Sequence, residues 1–566
     1  MFWILSALWL SGCGGADSAD STGSAGGGEE RTVKLYTNEE SQVLPIVASD
    51  ASFRSTHFSG SNNCATCHNQ LTDSSSTDVS IQSDWSTSMM ANSTRDPFWR
   101  AKVASEIRRN PALKSVLDSK CSRCHAPMAN VEAGYEGSSI ELFGKGFLNP
   151  DNPYFNHAMD GVSCTACHQI DDDGKLGTLE GFSGKFTLVD LGESERTAFG
   201  QYQDPAIEPM LNKTDFRPVY ATHISSSAMC ATCHNLKTPF VDSAGNVVST
   251  TPESEFPEQM VYTEWENSAF AVGDTARSCQ DCHMPKTDGV KISTRPVSLP
   301  ARNHFSRHTL VGANTTMLDI LGQNKAILGI TANGFDTAIL RTRDMLASAA
   351  DIEVVEQSLD SGILTVKLRI NNRSGHKLPT SFPSRRTYIH FVVRDDEGRL
   401  LFESGGTNPD GSIVGADGDT DQLRYEPHYD VITQADQVQI YEAVMQDTDH
   451  KVTYTLLRAA DYIKDNRIPP AGFDKNSVSN DIRVIGNAMS DDNFNTGSDT
   501  VTYKIQVGAA DSVSFSAELK YQAMAYGFMA DLFRDNQNPD VAMMESLFMG
   551  ARLRAETIVS VSHELD

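Results

Sequence analysis

From Leu364 to Ile370 the chain reads Leu-Thr-Val-Lys-Leu-Arg-Ile, with apolar and polar residues in strict alternation. Val501-Thr-Tyr-Lys-Ile-Gln-Val507 and Val513-Ser-Phe-Ser-Ala-Glu-Leu-Lys-Tyr521 repeat the pattern. A period of two places every second side chain on one face, so each stretch predicts a strand with one buried face. Thr387–Arg394 is a further strand candidate. Together they predict an antiparallel β-sandwich-like domain over residues 351–522.

The period changes upstream. Asp96-Pro97 offers an N-cap and a first helical residue, and Trp99, Val103 and Ile107 then recur every four positions. A second helix is predicted from about Pro111 into Cys121. Helical patterns near 316–329 and 336–349 make residues 311–350 a helical connector, and 523–566 reads as a C-terminal helical segment. The rest of 51–310 is rich in Gly, Pro, Asn and Ser, which predicts short helices in a loop-rich region. The fold class expected is α + β and multidomain.

The first residues, Met1-Phe-Trp-Ile-Leu-Ser-Ala-Leu-Trp-Leu-Ser-Gly12, form an apolar run ending in small residues, as in a secretory signal. Leu10-Ser-Gly-Cys13 resembles a bacterial lipoprotein signal box, which implies lipid on Cys13; an ordinary signal with a free cysteine is the alternative. Residues 14–30 are nearly all Gly, Ser, Ala, Asp and Thr, too polar to bury a core. Residues 13–50 therefore read as a flexible tether, of which the first ~17 residues reach roughly 20–25 Å as a random coil. No later stretch is long and apolar enough to span a bilayer.

The chemistry lies in a repeated motif. Cys64-Ala-Thr-Cys67-His68, Cys121-Ser-Arg-Cys124-His125, Cys164-Thr-Ala-Cys167-His168, Cys230-Ala-Thr-Cys233-His234 and Cys279-Gln-Asp-Cys282-His283 share one spacing. Zinc sites, thioredoxin-like sites and disulfides also use paired cysteines, but none requires a histidine directly after the second. With 15 histidines in 566 residues, five out of five by chance is on the order of 10⁻⁸, so the pattern reads as C-x-x-C-H attachment of c-type haem. Two sulfurs join the porphyrin as thioethers, and the adjoining imidazole ligates the iron. Ten of the eleven cysteines are consumed this way and Cys13 is the last. The cofactor expected is five covalently bound haem c groups, held in the pentahaem region 51–310.

Each iron has a second face. His57, His157 and His223 each precede a motif by seven residues, giving H-x6-C-x-x-C-H three times. They are candidate ligands for neighbouring haems. His308 and His376 are the other two candidates, with His304, Met89 and Met90 as alternatives. Thioether ligation raises the reduction potential, although core packing is the commoner role of methionine. His390, His428, His450 and His563 read as structural. Arg385-Arg386 suits haem propionates through the guanidinium fork, or is a solvated pair.

The formal charge of −27 argues against nucleic acid and anionic lipid surfaces as partners.

On these motifs the chain resembles a multihaem c-type cytochrome of exported lipoprotein type. Residues 55–310 are similar to the tetrahaem cytochrome and hydroxylamine-oxidoreductase-like group, Asp160-Gly-Val-Ser-Cys-Thr-Ala-Cys-His168 above all. Gly375-His-Lys-Leu-Pro-Thr380 with Arg385-Arg386 looks like a segment of exported multihaem cytochromes with a β-rich C-terminal part. The resemblance implies electron transfer between periplasmic or outer-membrane redox partners, or to an extracellular acceptor. A bacterial outer-membrane location follows for such a lipoprotein, with other cytochromes, a quinol-oxidising complex or an outer-membrane conduit as partners. A homo-oligomer or filament is a further expectation. The alternative is an oxidoreductase acting on a small nitrogen or sulfur oxyanion at an open haem. The second and fifth motifs, which lack the upstream histidine, are where such a site is expected. No catalytic residue is assigned.

Overall fold

The computed structural model describes residues 45–189 and 196–566. Cys13, the signal segment and the tether up to residue 44 lie outside the described residues.

The alternating stretches form two facing sheets. One runs in the order Asp461–Asp465, Ile440–Gln446, Arg386–Asp395, Val513–Gln522, Glu556–Leu565, with Leu400–Ser404 also paired to Arg386–Asp395. The other runs Val431–Ile432, Ser498–Gln506, Ile363–Asn372, Ala350–Asp360. The ladders are antiparallel except the two-residue parallel pairing of Val431–Ile432 with Ser498–Gln506. Leu364, Val366, Leu368 and Ile370 are buried from one sheet, and Phe515, Ala517, Leu519 and Tyr521 from the other, in a single core. Phe391 stacks on Tyr503 across it with ring centroids 3.9 Å apart. The polar partners of the alternation, such as Lys367, Arg369, Ser516 and Glu518, point away from it.

The C-terminal segment corrects the sequence reading. Tyr526–Phe533 and Pro539–Gly550 are helices, but Glu556–Leu565 is the last strand of the larger sheet. Its Val559 and Val561 follow the strand period and pack on the core, which a helical reading of a short amphipathic stretch hides.

The upstream half is held differently. Asp96 caps the helix Pro97–Arg109 by accepting from the backbone N–H groups of Phe98 and Trp99, a cap worth about 1 kcal/mol. That helix packs against the two C-terminal helices and shares one apolar core with them, Thr315–Gln323 and Phe335–Ala347. Residues 311–350 are thus part of this core rather than a spacer. The motif helices are short, four to twelve residues, and a small cluster of Phe58, Met128, Ala166, Ile170 and Leu188 lies beside the first and third. Among the described residues no helix is long and apolar enough to cross a membrane.

Candidate haem centres

Each C-x-x-C-H sequence lies in or ends a helical segment: Ser61–His68, Lys114–His125, Cys164–Cys167, Ser227–His234 and Cys279–His283. Helical geometry is what the spacing needs, because residues three apart face the same way. Ser226 and Ser278 cap the fourth and fifth helices.

The helices meet in pairs. Ser61 donates to Asp160 through N–H (2.9 Å) and hydroxyl (2.7 Å), and Thr165 donates to the Ser59 carbonyl, joining the first motif to the third. The Cys64 and Cys164 thiols come within hydrogen-bond reach. Cys124 reaches Cys233, and Cys230 reaches Cys279, joining the second motif to the fourth and the fourth to the fifth. His223, just before the fourth motif, bonds the Ile170 carbonyl just after the third. The Cys279 N–H donates to Ser227 Oγ at 3.0 Å. Gly161 is required here: it has φ +62°, and a Cβ would lie 2.6–2.7 Å from the carbonyl oxygens of Met90 and Ala91. All ten cysteines are free of disulfides.

Four of the five motifs open on one cavity of about 670 Å³ with a mainly apolar lining; the fifth borders it through Gln280 and Met284. The motif imidazoles are oriented by backbone. His68 Nδ1 bonds the Ile292 carbonyl, His168 that of Phe199 and His283 that of Val311, each at 2.6 Å, and His125 that of Ser93 at 3.2 Å. Such a bond fixes the tautomer and leaves Nε2 as the lone-pair nitrogen. Among the described residues His234 has no such acceptor. Burial pushes the His125 and His234 pKa down to about 4, which keeps both imidazoles neutral at pH 7.

The second-ligand candidates are placed as follows. The His308 ring lies 6.3 Å from that of His168, their planes 22° apart. The His376 ring lies 6.3 Å from that of His283, 16° apart. Two metal–imidazole bonds of about 2 Å each, plus the ring radius behind each nitrogen, separate centroids by roughly 6 Å. Both pairs therefore leave room for one iron. His57 Nδ1 bonds Glu132 at 2.9 Å and leaves Nε2 free. His157 is buried between Phe53 and Tyr154 with neither ring nitrogen hydrogen-bonded. His223 gives Nε2 to the Ile170 carbonyl, so its free nitrogen is Nδ1. His304 is exposed, on a left-handed backbone at φ +56°, and its N–H is tied to Asp288. Met89 and Met90 line the cavity.

His428 sits with Asp491 and Asp499, a grouping suggestive of a metal. Its Nδ1 accepts from the side-chain amides of Gln439 and Asn466, whose own oxygens are fixed by the Tyr429 and Glu442 N–H groups. Nε2 must then carry the proton, which it donates to Asp491, and has no lone pair for an ion. Arg386 corrects the propionate expectation: it is buried in a two-bond pairing with Asp419 at 2.7 and 2.8 Å. Arg385 lines the cavity, with Nη1 donating to the Thr380 carbonyl.

Sequence reasoning missed the backbone acceptors of the motif histidines, for which no side chain gives a signal. It also missed Trp99, whose ring stacks on His125 at 4.7 Å. Its place on the buried face of helix Pro97–Arg109, ahead of the motif, was the available clue.

Residues 63–169, which contain the first three motifs, match the family described as cytochrome c554 and c-prime. No curated protein matches the chain. A crystal structure of a penta-haem cytochrome c552 from Thermochromatium tepidum is similar in fold, with a TM-score of 0.49 and 14% identity over 90% of this chain and 100% of that one. Over that segment the chain is similar to a multihaem cytochrome c family, and the C-x-x-C-H residues within it fit covalent haem c.

Proposed function

We propose that this chain is a five-haem electron-transfer cytochrome. The observation that carries the reading is the meeting of the motifs around one cavity, with thiols of the first and third, second and fourth, and fourth and fifth within reach of each other and His223 tying the fourth to the third. Bound haem supplies a one-electron iron couple. The protein's part is spacing, axial nitrogens and exclusion of water. His68, His125, His168, His234 and His283 are the motif-side ligands. His308 serves the third motif and His376 the fifth, while His57, His157 and His223 are the remaining far-side candidates. The fourth motif, linked to the second and fifth through its thiols and to the third through His223, is the junction of the path.

Electrons pass between exported redox proteins in this reading, with the chain held at the outer membrane through lipid on Cys13. The sequence of residues 1–30 supports that location.

A spectroelectrochemical titration tests the function. The expected result is reversible reduction of five low-spin haems that exchange electrons with one another. Reduced protein consumed by nitrite, hydroxylamine or thiosulfate would instead support the oxyanion reductase reading. One observation favours that reading at the second motif: the ionisable Lys102, Glu106 and Glu258 line the cavity with Cys121, Cys124 and His125.

A further inference from the structure

His376 lies in the β-rich half, yet it faces a motif of the other half. The loop that carries it, Ser374–Thr380, is gripped from both sides. His376 Nδ1 donates to the Lys377 carbonyl at 3.0 Å, which leaves Nε2 free toward His283. The Lys377 N–H (3.2 Å) and the Thr380 hydroxyl (2.5 Å) both donate to Glu264 Oε2. Glu264 belongs to the short helix Val261–Glu266, between the fourth and fifth motifs. Its other oxygen lies 2.9 Å from Arg467 Nη1. Arg467 in turn makes two bonds to Asp465, at 2.9 and 2.7 Å, and Lys377 Nζ reaches the same carboxylate at 2.7 Å.

The four side chains are almost sealed from water: Glu264 and Lys377 are 0% exposed, Asp465 3% and Arg467 9%. Two cations face two carboxylates, so the cluster is neutral as a whole. Each member depends on the others, because a buried charge left unpaired is costly. Gly375 adds a steric reason for the loop's path. A Cβ there would sit 3.2 Å from the Trp265 ring and 3.5 Å from Phe270.

We propose that Glu264, together with Arg467, Asp465 and Lys377, is a positioning cluster that fixes His376 across from His283 and makes the β-rich half the holder of the fifth haem's second imidazole. This rests on the reading of His376 as an axial ligand. Glu264 touches neither iron nor porphyrin in this scheme. It acts through the main chain of Lys377.

The test uses the full haem-loaded protein and two readouts. One is the count of low-spin and high-spin ferric haems by electron paramagnetic resonance. The other is the rate at which carbon monoxide binds the ferrous protein, which reports how often an axial imidazole lets go. His376→Ala converts one haem to high spin, and added imidazole restores it. Glu264→Ala speeds carbon monoxide binding at that one haem at least tenfold and leaves the other four unchanged. Thr380→Val removes only one donor to Glu264 and gives a smaller acceleration at the same haem; it decides the matter if Glu264→Ala does not accumulate. Leu368→Ala weakens the same half away from the cluster and leaves the rate unchanged.

If His376→Ala leaves every haem low-spin, the ligand reading itself fails. If His376→Ala behaves as stated but neither Glu264→Ala nor Thr380→Val changes the rate beyond twofold, the positioning role is overturned. Equal acceleration by Leu368→Ala overturns it too, because the effect would then be general loosening.

Discussion

The two halves of this chain solve the same problem by different means. In the β-rich half, backbone ladders set the geometry, and alternating side chains fill one continuous core in which Leu364, Val366, Leu368 and Ile370 are wholly buried. In the half with the C-x-x-C-H motifs, short helices and loops surround a cavity of about 670 Å³. Away from the core that Pro97–Arg109 shares with the later helices, clusters such as Leu71, Val79, Val290 and Phe305 are too small to organise that region by themselves. On the proposed five-haem reading, porphyrin would complete the interior of this half, whereas the β-rich half is completed by its own side chains.

The strongest way to break the comparison is to prevent haem attachment. Chain made without it is expected to exchange amide hydrogens quickly over Ser61–His68, Cys164–Cys167, Ser227–His234 and Cys279–His283. Ile363–Asn372, Ser498–Gln506 and Val513–Gln522 should stay protected. Equal protection in both halves would erase the contrast. A core truncation comes next. Leu368→Ala is expected to destabilise the β-rich half by about 2–5 kcal/mol, the range for deleting a buried leucine side chain. Denaturant melts followed by circular dichroism measure it, and the haem spectrum before unfolding should not change.

A smaller effect sharpens the boundary between halves. Burial would raise the Asp465 pKa, but Arg467 and Lys377 outweigh it and hold the carboxyl down at about 2. A depressed carboxylate contributes stability above its unfolded pKa of about 4 and loses it as pH falls toward 2. Acid titration from pH 4 to 2 should therefore weaken the β-rich half, and Asp465→Asn should flatten that limb while lowering stability at pH 7. The smallest effect belongs to Asp96→Ala, which removes the cap of Pro97–Arg109 and should cost about 1 kcal/mol by thermal melts.

What could be read from the chain follows the same division. The strands over 364–370, 501–507 and 513–521 were visible because a half-buried sheet writes its period directly into residue type. The helix from Pro97 was visible because Asp96 and Pro97 mark its start. Glu556–Leu565 was not, since its pairing with Val513–Gln522 is a tertiary fact that a short exposed stretch does not announce. In the other half the attachment residues were legible, because a covalent bond demands fixed spacing. The second-ligand histidines were legible only as candidates. His308 and His376 reach the third and fifth motifs through folding that brings positions 140 and 93 residues apart together, as the numbering of His168, His308, His283 and His376 shows. The Ile292, Phe199 and Val311 carbonyls that orient the motif imidazoles belong to main chain, so any residue could have stood there.

Peptide mass mapping of the purified protein tests the central claim most directly. The account predicts that each of the five C-x-x-C-H peptides, from Cys64 to His283, carries one haem through both sulfurs. Free thiols, a disulfide or bare peptide mass at these positions would contradict it.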